Sequence, residues 1–282
     1  MTGKSERYID NTQVKTCHNK HFSIQSNYSQ SEFFSNENYN INIFINPQTE
    51  QLLRKIEQDS IRLEQFTSIA RGVGVYHKRV GHTKEIIATD PYQSNIKKDE
   101  TFVPYLRGKN VKRFLIDWHF DSFISYGKWL AEPREPKYFE GSRILMRQIP
   151  SNRLILTYLE DQFITDQSVF IARFDCLNPS PKAVLGVLGS SLMSYYFRSK
   201  HSEYDLLFPK VKLQHFKNFP IKKMNLDVQN VLVEKVDYIL QFKLTNPCAD
   251  SIVLEQQIDK IVYELYGLTE EEIKIIEGEV TV

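Results

Sequence analysis

The sequence predicts an α+β fold: a mixed, largely antiparallel β-rich domain with packed helices, followed by a C-terminal helical hairpin. Between residues 75 and 175, segments dense in β-branched and aromatic residues recur with short turns between them, which is typical of a sheet. Residues 181–197 then place apolar side chains at helical spacing. Residues 226–265 carry two more amphipathic stripes, separated by Asn246 and Pro247, which predicts two consecutive helices.

The N-terminal part of the chain differs from the rest. Residues 1–48 are polar and rich in Asn and Ser, and only residues 41–46 alternate apolar and polar side chains as a short strand does. We interpret 1–48 as a lead-in or the remnant of an upstream domain, 49–223 as a central domain and 224–282 as a C-terminal helical region. The 282 residues are enough for one large domain or two small ones.

The central domain is predicted to begin with a helix. Pro47 precedes apolar residues at helical spacing up to Phe66, and the helix should end before Arg71. A strand containing Gly74 follows, where a glycine indicates a bulge or a close backbone approach. Residues 75–81 and 84–90 are predicted to pair as a hairpin.

Further strands are expected in five segments: 111–118, 120–126, 143–149, 153–159 and 163–174. In the helix predicted over 181–197, Gly186 and Gly189 lie three residues apart and allow another element to pack closely. A final short helix is predicted after Thr269, because three glutamates follow it where the helix dipole favours acids.

Charge is distributed unevenly, although the net charge is only +1. Residues 71–147 carry 15 Lys and Arg against 9 Asp and Glu, and residues 210–223 carry five lysines and no acid. Residues 224–282 carry 4 Lys and Arg against 12 Asp and Glu. Both basic segments are also rich in aromatics and in glycine or proline, a combination that favours a nucleic-acid surface over solvated faces that merely differ in charge.

Glycines and cations occur together in the first basic segment. Gly72 and Gly74 allow a close backbone approach, and neighbouring cations attract phosphates regardless of base sequence. We predict that this segment and the second one form one DNA face, with the acidic C-terminal region pointing away. The candidate DNA-binding residues are Arg71, Lys78, Arg79, Arg107, Lys109, Lys112, Arg113, Lys210, Lys212 and Lys217.

No constellation of residues indicates catalysis. The glycine pattern lacks the third glycine of a dinucleotide site and the lysine of a P-loop, and there is no zinc-binding motif. Asp90, Pro91 and Tyr92 resemble the motif that holds the target amine in amino-methyltransferases, but the second proline is absent, so we interpret them as a turn. We therefore expect no catalytic residue, no metal and no cofactor.

The chain also lacks membrane and export signals in its sequence. No apolar run approaches 18 residues, and the first residues contain no signal-peptide core. Three widely spaced cysteines suggest neither a disulfide framework nor a zinc site. These observations predict a cytoplasmic protein without a membrane partner.

The order of the motifs resembles a known family. Seven motifs follow one another along the chain. They are IARGVGVYHK (69–78), FVPYLRGKNVKRF (102–114), RILMRQI (143–149), ITDQSVFIA (164–172), VLGVLGSSLMSYYF (184–197), FPKVKLQHFKNFPI (208–221) and IDKIVYELYGLTEEE (258–272). Together they resemble the TaqI-like C-terminal specificity domain, the target-recognition part of adenine-specific DNA methyltransferases and of fused restriction-modification enzymes. The resemblance extends from about residue 47 to the end.

The resemblance implies a target-recognition domain over 49–223, similar to half of a type I specificity subunit. It implies double-stranded DNA as one partner. A methyltransferase domain or subunit, or a second copy bound through the C-terminal helices, would be the other. The cofactor loop and catalytic motif of the family's methyltransferase domain are absent here, so we expect neither methyl transfer nor DNA cleavage by this chain alone. No base-contacting residue can be transferred from a family motif.

Two other functions remain open at this stage. The chain could be a fragment of a nuclease with an unrecognised site, which cleavage of DNA in the presence of magnesium would reveal. It could instead be an interaction scaffold that uses the helical hairpin, which failure to bind any duplex at low salt would favour.

Overall fold

The computed structural model describes residues 12–18, 21–28, 47–201 and 210–278, and the chain divides into two compact units. The first, residues 1–55 with residue 282, contains an antiparallel hairpin of β1 (Thr12–His18) and β2 (His21–Tyr28) and the beginning of helix α1 (Pro47–Glu57). The strand predicted at 41–46 lies outside the described residues. The remaining described elements belong to the second unit, residues 56–281.

Helix α1 begins as predicted but ends early. It begins at Pro47, because proline suits the first helical position. It ends at Glu57, although the apolar spacing continues beyond that residue. Asp59 has a left-handed backbone conformation (φ 54°), and β3 (Ser60–Arg62) pairs antiparallel with β14 (Pro220–Lys222). Pairing with a distant strand therefore overrides the local helical pattern.

A four-stranded antiparallel sheet lies at the centre of the second unit. Its order is β11–β10–β13–β4, formed by Leu156–Leu159, Arg143–Arg147, Val169–Phe174 and Thr67–Arg71. The inner strands β10 and β13 are buried along almost their whole length. Burial on both faces explains why these strands are nearly continuous hydrophobic runs rather than alternating ones.

A second four-stranded sheet is mixed. Its order is β12–β6–β9–β5, formed by Ile164–Thr165, Phe102–Leu106, Phe123–Ser125 and Gln93–Ser94. Only the β12–β6 pair in this sheet is parallel. The described residues also form a short hairpin of β7 (Val111–Lys112) and β8 (Leu115–Ile116). The predicted mixed, largely antiparallel architecture is confirmed.

The hairpin predicted over residues 75–90 is wrong. The region forms a 3-10 turn (Lys78–Val80) and a short helix α2 (Lys84–Thr89). Thr83 caps this helix by accepting a hydrogen bond from the backbone N–H of Ile86 at 3.3 Å. Such a cap satisfies a free N–H at the helix start, so the local capping signal outweighs the β-branched residues in the segment.

The helix predicted over 181–197 is in fact two helices, α3 (Pro181–Gly189) and α4 (Ser191–His201). Ser190 between them has an extended backbone (ψ 160°). The carboxylate of Asp259 accepts a hydrogen bond from the backbone N–H of Ser191 at 2.7 Å. A side chain from a distant helix therefore caps the start of α4, which sequence spacing does not reveal.

The C-terminal region is helical, as predicted. After a short helix α5 (Leu213–Lys217) come α6 (Leu226–Thr245), α7 (Ile252–Tyr266) and α8 (Glu270–Glu277). Helices α6 and α7 contact each other, which confirms the hairpin, and both also pack against α3.

Gly186 permits this three-helix packing. A Cβ atom at Gly186 would lie 3.3 Å from the side chains of Leu232 and Val236 on α6, and 3.7 Å from that of Ile258 on α7. Helix α3 also contacts β10 and β11 of the central sheet, so the helical region packs against the sheet-bearing part of the second unit through α3.

At Gly189, the end of α3 lies close to the ring of Phe114. A Cβ atom there would lie 3.1 Å from Cζ of Phe114. Replacing Gly189 by Leu should overpack this contact and lower the free energy of unfolding by about 1–3 kcal/mol, measured by urea denaturation. Combined with Phe114→Ala, which opens space, the double variant should lose less stability than the sum of the two single variants. If the stability losses of the two single variants simply add in the double variant, the contact between Gly189 and Phe114 is absent.

Candidate nucleic-acid interface

The two glycines after β4 face another segment of the same chain. A Cβ atom at Gly72 would lie 2.1 Å from the backbone oxygen of Asp166 and 2.2 Å from that of Thr165. One at Gly74 would lie 2.4 Å from Nε2 of Gln167. The predicted close approach at these glycines is present, but the backbone that approaches is the chain's own segment 165–167. This corrects the interpretation of the two glycines as contacts to nucleic acid.

Asp166 and Gln167 of this segment line a polar cavity of about 380 Å³, which we call the glutamine cavity. The backbone carbonyl of Gln167 accepts hydrogen bonds from Nε of Arg71 (3.3 Å) and from Nε2 of Gln148 (3.0 Å). These bonds tie the end of β4 to the connection between β12 and β13. The lining consists of Arg71, Val73, Gly74, Val75, Tyr105, Gln148, Asp166, Gln167 and Ser168.

A second polar cavity, the arginine cavity, has a volume of about 270 Å³. Nη2 of Arg107 donates a hydrogen bond to Oε1 of Gln93 at 3.0 Å. The guanidinium of Arg107 also lies 5.8 Å from the ring centre of Tyr105, which lines the other cavity. The lining consists of Asp90, Gln93, Ser94, Asn95, Arg107, Lys109, Asp121 and Ser122.

The turn at residues 107–109 connects the two cavities. The backbone N–H of Gly108 donates to Oγ of Ser168 at 2.9 Å, and Ser168 belongs to the glutamine cavity. A Cβ atom at Gly108 would lie 2.5 Å from the same oxygen. Arg107 and Lys109, on either side, line the arginine cavity. The basic turn is therefore held against Ser168 in the lining of the glutamine cavity.

The second basic segment joins this region at Gln148. The backbone N–H of Val211 donates to the carbonyl oxygen of Gln148 at 2.9 Å. Lys210 and Lys212 flank Val211, and both are exposed. The second basic segment thus lies next to Gln148, which lines the glutamine cavity together with Arg71 of the first basic segment.

Four other predicted DNA-binding residues lie outside the linings of the two cavities. Lys78 and Arg79 belong to an exposed 3-10 turn. Lys112 on β7 and Lys217 on α5 have their Nζ atoms 3.9 Å and 3.4 Å from carboxylate oxygens of neighbouring side chains. These four remain predictions.

Arg113 lies inside the protein. Its side chain is 17% exposed and forms an ion pair with Glu255 of α7. It also donates to the backbone oxygens of Leu154 and Gly189. Burial lowers the pKa of its guanidinium, while Glu255 counteracts this, and an arginine stays charged throughout. We therefore correct the assignment of Arg113 to the DNA face.

Burial also affects Asp166 in the glutamine cavity. It raises the pKa of the carboxyl group, and hydrogen bonds from Ser168 partly offset this effect. Both the backbone N–H and the hydroxyl of Ser168 donate to Oδ1 of Asp166. The carboxylate is therefore fixed in position rather than free to turn toward a ligand.

The turn predicted at Asp90 is confirmed. Asp90 ends α2 in a left-handed conformation (φ 45°). Its Oδ1 accepts hydrogen bonds from the hydroxyl of Tyr76 (2.7 Å) and from Nε2 of Gln93 (2.9 Å). The rings of Tyr76 and Tyr92 stack at 5.4 Å. These contacts give Asp90 and Tyr92 an internal structural role.

Sequence reasoning missed the uncharged side chains of the site. Gln93, Gln148 and Gln167 line the cavities. A usable signal existed: Gln148 follows directly after an apolar strand, and Gln167 lies between two short strands. Charge counting disregards such amides.

Two negative findings apply to the described part of the chain. Within residues 47–201 and 210–278, no cluster of three or more His, Cys, Asp and Glu side chains is arranged to bind a metal ion. Across the helices that the structure describes, none has the length and apolar character needed to span a bilayer.

One family model matches part of the chain. Residues 103–221 match the TaqI-like C-terminal specificity domain, which confirms the resemblance for that part of the chain. The matched segment contains the turn at 107–109, Gln148, Gln167 and the second basic segment up to β14. No curated protein matches the chain in sequence.

The solved structures that match this chain include a restriction-modification enzyme, a restriction endonuclease and an HsdS subunit. The type IIL restriction-modification enzyme MmeI in complex with DNA is 11% identical, with a TM-score of 0.52 over 78% of this chain and 36% of MmeI. The type IIG restriction endonuclease BpuSI is 13% identical, with a TM-score of 0.43 over 77% of this chain and 32% of that one. The HsdS subunit from Thermoanaerobacter tengcongensis is 12% identical, with a TM-score of 0.38 over 77% and 50%. The chain thus spans about a third of MmeI and half of HsdS.

Proposed function

We propose, from the premise that residues 103–221 are a TaqI-like C-terminal specificity domain, that this chain recognises a DNA sequence for a restriction-modification system. The single observation that carries the proposal is the pair of polar cavities joined by the basic turn at 107–109. Cations would contact phosphates there, and arginine and amide side chains would contact base edges. In this proposal the chain contributes recognition, and catalysis belongs to another domain or subunit.

Phosphate contacts would come from the exposed lysines near the cavities, Lys109, Lys210 and Lys212. They would position the duplex without reading its sequence. Base contacts would come from the cavities, since arginine, glutamine and asparagine are the side chains that pair with base edges in the major groove. The exposed cations Lys78, Arg79 and Lys112, together with the half-buried Lys217, are proposed as additional phosphate contacts further along the duplex.

We also propose that the predicted domains of the chain divide the work of DNA recognition and protein binding. Residues 49–223 would form the target-recognition domain, and residues 224–282 would bind a methyltransferase domain or subunit, or a second copy. The acidic charge of residues 224–282 makes them a poor DNA surface. Exposed apolar side chains at Leu244, Ile252 and Val253, which flank the α6–α7 connection, support a role in protein contacts.

A salt titration of duplex binding tests the DNA proposal. Each neutralised phosphate releases counterions, so the logarithm of the affinity should fall linearly with the logarithm of the salt concentration. Lys109→Gln should make this slope shallower by about 0.9 and weaken binding to all sequences alike. The measurement is fluorescence anisotropy with labelled duplexes over a range of salt concentrations.

Lys260→Gln is the matched control. It removes the same charge from an exposed position on α7, in the acidic region, and should leave slope and affinity unchanged. Equal effects of the two substitutions would exclude Lys109 from the interface. Failure of the parent chain to bind any duplex at low salt would contradict the DNA proposal and favour an interaction scaffold.

A further inference from the structure

We infer that Arg71 and Gln167 form a base-reading pair in the glutamine cavity, in which Arg71 contacts a guanine and Gln167 contacts an adenine. The inference rests on the proposed DNA-recognition function and specifies which side chains read bases. Neither residue lies in the exposed basic turns, and Gln167 carries no charge.

Arg71 has the geometry of a base reader rather than of a mobile phosphate contact. Its side chain is half-buried, and its Nε donates to the backbone oxygen of Gln167 at 3.3 Å. Within the described part of the chain, neither Nη atom forms a hydrogen bond or ion pair, and neither is enclosed. The end of the guanidinium fork is therefore held in place and open to a ligand. Arg107 differs, since one of its Nη atoms already donates to Gln93.

Gln167 presents a free amide beside this guanidinium. Among the described residues, its side-chain amide has no hydrogen-bond partner, and its atoms are not enclosed. Its backbone, in contrast, is held by Arg71 and Gln148. Nε2 of Gln167 lies over Gly74, 2.4 Å from where a Cβ atom would be. A fixed backbone with an unpaired amide in a polar cavity is the arrangement that direct readout requires.

The chemistry of the two side chains determines the bases. The arginine fork donates two hydrogen bonds to O6 and N7 of guanine, and a glutamine amide both donates to and accepts from N7 and N6 of adenine in the major groove. Because Arg71 is bonded to the backbone of Gln167, the two groups cannot move independently by much. We therefore expect a guanine and an adenine at nearby positions of one recognised sequence.

The test uses the full chain and a library of duplexes with a randomised central region, with bound molecules sequenced after selection. The parent should enrich one sequence that contains both bases. Gln167→Ala should lose discrimination at one adenine position by roughly 5- to 150-fold, with an unchanged salt slope because the residue is uncharged. Gln167→Glu should move the preference at that position toward cytosine, because a carboxylate accepts a hydrogen bond from the amino group of cytosine.

Arg71→Lys separates base reading from phosphate contact. Lysine retains the charge but loses the planar fork, so the salt slope should persist while discrimination at one guanine position weakens. Gly74→Ala should disturb the same adenine position as Gln167→Ala, because the new methyl group displaces the amide of Gln167. Circular dichroism spectra and urea midpoints like those of the parent would show that the variants are folded.

The outcomes distinguish the two proposals. A parent chain that enriches no sequence overturns the proposed function. If the parent enriches a sequence and both Gln167→Ala and Arg71→Lys enrich the same sequence equally well, the proposed base-reading pair is overturned but the proposed function is not. An Arg71→Lys variant that weakens all sequences alike would also overturn it, because that result indicates a phosphate contact.

Discussion

Replacing Asp259 by Ala should lower the free energy of unfolding by about 3–5 kcal/mol. Asp259 is 4% exposed and accepts hydrogen bonds from the backbone N–H and the hydroxyl of Ser191, at 2.7 and 3.0 Å. It also pairs with Nη2 of Arg153 at 2.7 Å. The substitution would leave Arg153 with less compensation for its charge and the start of α4 without its cap. Losing one partner of a buried charge pair is costly because the other charge stays desolvated.

The size of this effect depends on the group to which Asp259 belongs. Glu255, one helical turn earlier, pairs with both Arg113 and Arg153. Both arginines also donate to the backbone oxygen of Gly189. This buried ion cluster connects α7 to the α3–α4 junction and to the segment after β7.

Urea denaturation followed by circular dichroism measures the effect. Glu264→Ala is the matched control, since it removes the same charge from an exposed position of the same helix and should change stability by less than about 0.5 kcal/mol. A loss from Asp259→Ala as small as that of the control would show that the ion cluster contributes little to stability.

The ion cluster explains why charge counting along the sequence overestimated the DNA face. Arg113 contributes to the basic count of residues 71–147, yet it balances an acid of the C-terminal region. Arg143 from the same stretch is fully buried and donates to the backbone oxygens of Gly141, Glu160 and Asp161. A sequence pattern records the sign of a charge but not the direction of its side chain. Tertiary contacts decide which cations remain available for phosphates.

The same distinction applies to the fold. The strands were predictable because β-branched and aromatic side chains are dense in them, and the C-terminal helices because their apolar stripes are long. The break at Ser190 was not predictable, since the group that caps α4 lies 68 residues away on α7. The early end of α1 was not predictable for a similar reason: β3, which follows α1, pairs with β14 from the far end of the domain. Local periodicity contains no information about such distant partners.

At the candidate site, the sequence indicated the region better than the residues. Arg71, Arg107 and Lys109 were predicted from charge, and they do line the cavities. The close approach at Gly72 was also anticipated, but its partner was not, because only the folded chain brings segment 165–167 against it. In the sequence, only its position between two strands distinguished Gln167. Its free amide becomes apparent only when the hydrogen bonds of its neighbours are known.

Replacing Ile258 by Asp should have the largest effect on stability, a loss of about 4 kcal/mol or more. Ile258 is 2% exposed and faces Gly186 where α3, α6 and α7 meet. Removing a buried aliphatic side chain of this size typically costs about 2–5 kcal/mol, and an unpaired carboxylate in its place adds a desolvation cost. Glu255 and Asp259 lie within three residues on the same helix, so a third acid also adds like-charge repulsion.

Val253→Asp provides the comparison for this result. It introduces the same charge on the same helix, but at an apolar residue that is 69% exposed, where the cost should be small. Thermal and urea unfolding should therefore separate the two variants by several kcal/mol. Equal stability of the two would mean that Ile258 is not enclosed by α3 and α6. In that case the C-terminal helices would form a separate domain, attached to the sheet-bearing part of the second unit without a shared core.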